Sequence, residues 1–223
     1  MKENFQATIN ESSPLISDDL VRRVGKLSSS LFADAMAGSG VMDFRIKPVR
    51  PNTKVVGTAL TVSMKPGDNL FLHKAVFLSR QGYVLVADGK GYTGGAAWGE
   101  MMTRAAMARG AEGVVLDGLI RDCTDLVELG FPVFSKGAVP SGVTRLGPGS
   151  INSVISCGGV PVHPGDLVVG DDDGVVVVSR DKIEQALSQA EEKLAQEEKR
   201  IQEIGRENPE PAWVGEGLKS WGL

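Results

Sequence analysis

The residues of this chain with the clearest chemical content are a carboxylate, twenty intervening residues, and then an Arg-Asp pair: Glu100, Arg121 and Asp122. Glu100 follows Gly99 and opens a helical stretch around AAWGEMMTRAAMARG. The backbone amides of Met101 and Met102 would therefore lie in a first helical turn, free of intrahelical acceptors and able to hold an anion. Arg121 and Asp122 come just past GVVLDG (113–118), an apolar run that reads as a buried strand. Open α/β sheets place their ligands beyond the carboxyl ends of such strands. The pattern points to a small acidic molecule held by Arg121 and the helix-start amides, with an oxygen-ligated divalent metal near Asp122 and Glu100. A plainer reading fits the same residues: Arg121 and Asp122 as a surface pair, with Asp122 capping the helix DCTDLVELG.

Composition narrows the alternatives. A formal net charge of −4 and a pI near 5.3 argue against a protein that binds nucleic acid by neutralising phosphates. The chain has two Cys, Cys123 and Cys157, and two His, His73 and His163, with no CxxC or HExxH spacing. That excludes a disulfide framework and a structural zinc site, so a metal would rest on oxygen ligands. No basic-then-apolar leader and no apolar run near 18 residues occur, giving the expectation of a cytoplasmic protein with no membrane partner. GKGYTGG is Gly-rich but lacks the GxxxxGK[ST] phosphate loop. His73, spaced among Phe71, Leu72 and Val76, reads as a packed or interface histidine. Asp68 reads as a helix cap, and Asp171–Asp173 before Gly174 as a hairpin turn.

The elements that would position these residues can be read along the chain. Residues 1–17 form an N-terminal arm, polar and loose over 1–16. One helix is expected from Asp18, through DDLVRRVGKLSSSLFADAMAG. Strands follow at 55–62, 83–89, 113–118 and 132–137, alternating with helices, and residues 140–178 read as short strands with tight turns. Residues 18–179 thus make one α/β domain. Residues 180–223 hold a charged helix (180–206) and a tail. In that helix Ile183, Leu187, Ala190, Leu194, Ile201 and Ile204 follow a 4-3-4 seam whose missing position is Glu197. At roughly 1.5 Å per residue the helix would be about 39 Å long, more than the domain needs. It is expected to lie against a neighbouring subunit. Glu197 is then either a carboxylate directed into that interface or a solvated residue beside Glu198.

PGDNLFLHKAV, VADGKGYTGGAAWGE, DGLIRD, FSKGAVPSG and GGVPVHPGDLVVGDDDGVVVV, together with the last helix, resemble the RraA-like family that includes the 4-hydroxy-4-methyl-2-oxoglutarate/4-carboxy-4-hydroxy-2-oxoadipate aldolases. The resemblance implies a swivelling β/β/α fold assembled as a homotrimer or a dimer of trimers. It also implies the cleavage of 4-hydroxy-2-oxo acids to pyruvate and a 2-oxo acid, with oxaloacetate decarboxylation as a side activity. Asp122 would anchor Mg²⁺ or Mn²⁺, and Glu100, where the family usually has Asp, would orient the metal's waters. Arg121 would bind the keto oxygen and stabilise the enolate, while the Met101 and Met102 amides beside Gly99 hold the pyruvyl carboxylate. A Glu from the adjacent subunit's last helix would complete the site; by position it is Glu197. The family also includes RraA, a regulator that binds a ribonuclease without catalysis. Retention of the acidic-x20-Arg-Asp set favours the enzyme, and a lyase acting mainly on oxaloacetate would share the same site.

Overall fold

A computed structural model describes residues 7–204, 206 and 209–223. Its centre is the strand β3 (Val55–Met64), which follows β1 (Thr8–Ile9), the helices α1 (Asp18–Val24) and α2 (Ser29–Ala35), and β2 (Lys47–Pro48). β-Branched residues dominate β3 and nearly all its side chains are buried, as expected of a strand covered on both faces. Next come α3 (Leu70–Leu78), β4 (Tyr83–Trp98), α4 (Glu100–Ala108), β5 (Gly113–Ile120), α5 (Cys123–Leu129) and β6 (Val133–Ser135). β3, β4, β5 and β6 pair in parallel, each joined to the next through one of these helices.

The remaining strands are short: β7 (Gly149–Ile151), β8 (Ile155–Cys157), β9 (Val160–Val162), β10 (Leu167–Asp171) and β11 (Gly174–Val178). The main sheet runs β1-β7-β3-β4-β5-β6-β2, with β10 and β11 branching from β3, and β8–β9 form a separate hairpin. Asp171–Gly174 makes the expected tight connection between β10 and β11. α6 (Ile183–Ile204) and α7 (Ala212–Lys219) end the chain. No helix among the described residues is long and apolar enough to cross a membrane.

Three apolar clusters hold the layers together. One packs α3, α4 and α5 on one sheet face through Leu72, Val76, Met102, Ala106, Leu126 and Trp98. A second fills the opposite face beneath β8 and β9. The third joins α1, α2 and the first half of α6 to β10 and β11. The 4-3-4 seam of α6 is accordingly divided. Ile183, Leu187 and Ala190 are buried, whereas Ile201 and Ile204 are 67% and 51% exposed.

Several local expectations change. The single N-terminal helix is two, because Gly25 ends α1 and Ser28 starts α2 by accepting the Leu31 amide. Ser17, not Asp18, caps α1 by accepting from Leu20 N. The arm is not loose from Thr8 onward: β1 pairs with β7, the Ile16 amide donates to Thr58 Oγ1, and the Tyr83 hydroxyl donates to Ser13 O. AAW, expected in a helix, is the end of β4. Residues 1–6 of the expected arm, residue 205 of the expected charged helix, and residues 207 and 208 lie outside the described residues.

Candidate active site

An uneven pairing of β4 with β5 brings the site together. The strands run in step from Val84↔Gly113 to Ala87↔Leu116, then shift register until Trp98 pairs with Ile120. β4 thus advances 11 residues, from 87 to 98, while β5 advances four, from 116 to 120. The GKGYTGG segment expected as a loop is this irregular part of the strand. Its surplus length bows out, and its end returns to β5, so that Arg121 N donates to Trp98 O at 3.0 Å. Trp98 fixes the point of return. Its indole is buried, stacks on Phe131, and donates to Thr103 Oγ1 at 2.7 Å. Thr103 in turn donates to Gly99 O, closing the first turn of α4.

Gly99 and Asp122 meet at this junction. Asp122 is in the left-handed conformation (φ 59°, ψ 40°), which Asp tolerates better than most residues. It occupies the N-cap position of α5 but makes no side-chain cap bond. Instead its Oδ2 accepts the Glu100 amide at 3.0 Å and lies 3.6 Å from Arg121 Nε. A Cβ on residue 99 would stand 2.5 Å from that same Oδ2 and 3.1 Å from Arg121 Cγ. Only glycine permits this approach.

Arg121, Asp122, Gly99, Met101 and Met102 line one cavity of about 170 Å³. The Met101 and Met102 amides have no acceptor among the described residues and sit where a helix start favours an anion. Glu100 enters the constellation through its backbone. Its carboxylate accepts from Arg104 Nε at 2.8 Å, an i,i+4 pair on the outer face of α4, and it is not among the lining residues. Glu197 is exposed on α6, which packs against α2, and no α6 residue lines the cavity. Within one chain the structure therefore brings together Gly99, Met101, Met102, Arg121 and Asp122, and not Glu197.

The opposite wall holds residues that sequence reasoning did not place here. Asn69, His73, Gly142, Val143 and Arg145 line it. Asp68 fixes this wall rather than serving as a simple cap. Its Oδ1 accepts from Leu70 N at 2.9 Å, and its Oδ2 accepts from Thr144 Oγ1 at 2.8 Å and Leu146 N at 2.5 Å. Burial works to raise the Asp68 pKa, but these donors outweigh it and hold the carboxyl below its ordinary range. Arg145 has no ion-pair partner among the described residues. Burial, reinforced by the Arg145 charge, pushes His73 below the usual histidine value. The helical spacing of His73 among Phe71, Leu72 and Val76 was visible in sequence; the loop that makes His73 part of a cavity wall was not.

No group of three or more His, Cys, Asp or Glu side chains that could cage a metal occurs among the described residues. A hard cation does not need one: Mg²⁺ commonly uses one or two carboxylates and completes its octahedron with water and substrate oxygens. Asp122, one carboxylate with its orientation set by a backbone amide, fits that mode. Cys157 does not compete for a catalytic role. Cys157 is buried, and burial drives its thiol well above the ordinary range.

Residues 15–177 match the family described as "RraA-like: Aldolase/RraA". The chain belongs to that family. An Aldolase/RraA relative from Halalkalibacterium halodurans, named "Putative 4-hydroxy-4-methyl-2-oxoglutarate aldolase", is 39% identical over 186 residues, 83% of this chain and 89% of its own. Among solved structures, an uncharacterized protein from Pseudomonas syringae superposes with a TM-score of 0.78 at 25% identity, covering 88% of this chain and 97% of its own. Streptomyces coelicolor RraAS2, described as an unusual member of the RNase ES inhibitor RraA protein family, superposes at 0.75 with 27% identity, covering 83% and 98%. The mixed α/β architecture and long C-terminal helix are those of an Aldolase/RraA fold.

Proposed function

We propose that this Aldolase/RraA protein is a divalent-metal-dependent carbon–carbon lyase. It would cleave 4-hydroxy-2-oxo acids such as 4-hydroxy-4-methyl-2-oxoglutarate or 4-carboxy-4-hydroxy-2-oxoadipate to pyruvate and a second 2-oxo acid. One observation carries this reading: the Arg121 guanidinium stands beside an Asp122 carboxylate that the Glu100 amide orients, in a cavity of a size for a small acid. The name of the Halalkalibacterium relative supports it.

Asp122 is the residue that would hold Mg²⁺ or Mn²⁺. When bound, such a cation supplies Lewis-acid polarisation of the 2-oxo group. The chain's own residues do the rest. The Met101 and Met102 amides orient the substrate carboxylate at the positive end of α4. Arg121 donates to the keto oxygen and binds it more strongly as enolate charge develops there, which is where a preorganised donor lowers a barrier most. The side chain of Glu100 would have to leave Arg104 to orient waters near Asp122. Glu197 would reach the site of an adjacent copy in a homotrimer or dimer of trimers; exposure of Ile201 and Ile204 beyond the buried half of α6 supports that placement. Oxaloacetate decarboxylation passes through the same enolate and is the expected side activity.

The test is a lactate-dehydrogenase-coupled assay of pyruvate release from a panel of 4-hydroxy-2-oxo acids and oxaloacetate, with and without Mg²⁺. Metal-dependent release from a 4-hydroxy-2-oxo acid is expected. Release from oxaloacetate alone would narrow the activity to decarboxylation, and release from none would favour a ribonuclease-binding regulator.

A further inference from the structure

We propose that Asn69 and His73 form the proton-handling wall of this site: Asn69 receives the substrate's 4-hydroxyl, and His73 takes its proton and passes it to the methyl carbon of the pyruvate product. The proposal rests on the lyase reading above.

The two residues are four apart at the start of α3 and so share a helix face. Both line the cavity that holds Arg121 and Asp122. Asn69 is 6% exposed, and its amide orientation is set by Nδ2, which donates to Ala97 O at 2.9 Å; a carbonyl can only accept. Its Oδ1 is therefore an acceptor, and that atom is buried without a hydrogen-bond partner. His73 Nε2 is buried as well, and among the described residues neither atom has a partner. Buried polar atoms of this kind are few in native structures and call for an explanation. Two such acceptors, one helical turn apart on the wall of one cavity, match a ligand hydroxyl that donates its single proton first to Asn69 Oδ1 as the substrate binds and then to His73 Nε2.

The charge around His73 suits a proton carrier. Arg145, on the loop stapled to Asp68, and Arg121 and Asp122 across the cavity are the charged residues of its lining. α4 contributes only Met101 and Met102 to it, and β4 contributes Ala96, Ala97 and Trp98. Lys74, the next residue on α3, points to the exposed side. Burial and Arg145 keep the imidazole neutral at neutral pH, so a ring nitrogen is open to accept.

The step balances without any co-reactant. The 4-hydroxyl turns its proton from Asn69 Oδ1 to His73 Nε2, the O4–H bond breaks, and the proton stays on Nε2. The C3–C4 bond breaks, C4 becomes the carbonyl of the departing 2-oxo acid, and the bond's electron pair passes into the 2-oxo group as the enolate that Arg121 stabilises. The imidazolium, made more acidic by Arg145, then protonates C3, giving pyruvate and regenerating neutral His73. Run backwards on pyruvate alone, the second half removes a methyl proton.

That half-reaction supplies the experiment. Exchange of pyruvate methyl protons for deuterium is followed by NMR in D₂O with Mg²⁺, and oxalate, a planar mimic of the enolate, is titrated calorimetrically as the binding control. His73→Gln should lower exchange by about a hundredfold, within the usual range for a general acid–base group, and change oxalate affinity less than about threefold. His73→Ala should regain exchange with added imidazole. Asn69→Ala should damage cleavage of a 4-hydroxy-2-oxo acid yet leave exchange within about threefold, since pyruvate has no 4-hydroxyl. Wild-type exchange in folded His73→Gln, or in His73→Asn should the first variant fold poorly, overturns the proposal. Exchange lost together with oxalate binding and not rescued by imidazole makes His73 structural and overturns it too. Absence of exchange in the wild-type protein would instead remove the lyase reading on which the proposal stands.

Discussion

Two groups of charged side chains lie along β4 and β5 and differ in how far their charges are paired. Near the middle of these strands, Lys136 Nζ sits 2.5 Å from Asp117 Oδ1 and 3.3 Å from Asp43 Oδ2. Lys90 pairs with the buried Asp88, and Arg45 closes on Asp43. Asp117 Oδ2 also accepts the Gly158 amide at 2.9 Å, tying the turn between β8 and β9 to the sheet. Every charge there has an opposite charge within 4 Å, although Asp117 Oδ1 meets Lys136 as an ion pair without a well-formed hydrogen bond. Beyond the carboxyl ends of the same strands, Arg121 and Asp122 are half-exposed at 45% and 34%, Arg145 has no ion-pair partner among the described residues, and two polar atoms on α3 lack partners. Closed networks fix a fold, and the incomplete one is where a ligand finishes the set.

That contrast can be broken from either side. The largest effect is expected from Lys136→Met, which leaves Asp117 and Asp43 without their shared cation. Removing one member of a buried pair typically costs about 3–5 kcal/mol, so urea denaturation should show a loss of that order while kcat of the folded fraction stays near wild type. Arg121→Lys should do the reverse. It keeps the charge but loses the planar fork, and kcat should fall about a hundredfold, ~3 kcal/mol, with stability within about 0.5 kcal/mol of wild type. Near-normal kcat would leave Arg121 a surface residue.

Gly99→Ala should come next. Its methyl group must displace Asp122 Oδ2, so metal affinity and kcat should both drop about tenfold, measurable by metal titration and steady-state kinetics. Glu197→Ala should reduce activity several-fold with assembly intact by sedimentation, while Glu198→Ala serves as a near-silent control. Mixing Glu197→Ala with Arg121→Ala protomers should restore part of the loss, and equal effects at 197 and 198 would take Glu197 out of the site. The smallest effect is expected at Asp68. Because its folded pKa is depressed, its stabilising contribution is complete above the unfolded value near 3.9 and is lost as pH falls through the lower folded value. The stability gap between wild type and Asp68→Asn should therefore shrink in acid denaturation below about pH 4.

The parts legible in the sequence are those set by local pattern. The Glu100, Arg121 and Asp122 spacing, the valine-rich strands and the Asp171–Gly174 turn each announce themselves within a few residues. Resemblance added the family and the roles of the site residues. What stayed hidden depends on distant segments meeting. The part of Asp122 as an acceptor for Glu100 N requires the slip of β4 against β5, which no periodicity encodes. His73 reads from sequence as a packed or interface histidine because helical spacing says which face it shares, and not that Asp68 holds residues 144–146 beside it. The break between α1 and α2 was written in Gly25 and Ser28, yet the apolar spacing through Leu27 and Leu31 masked it.

The slipped strand has a consequence for how such a protein can diversify. The in-step pairs Val84 to Ala87 carry the sheet, whereas residues 89–91 and 93–95, on either side of the Tyr92–Gly118 pair, span stretches whose length the partner strand does not dictate. One residue inserted or deleted there would be absorbed by the bow and felt at Trp98 and Gly99, leaving the buried side chains of β3 and β5 in place. Related chains could therefore retune the mouth of the cavity by small changes in segment length, a route that a regularly paired strand would not offer, because each such change would swap its core residues between the two buried faces of the sheet.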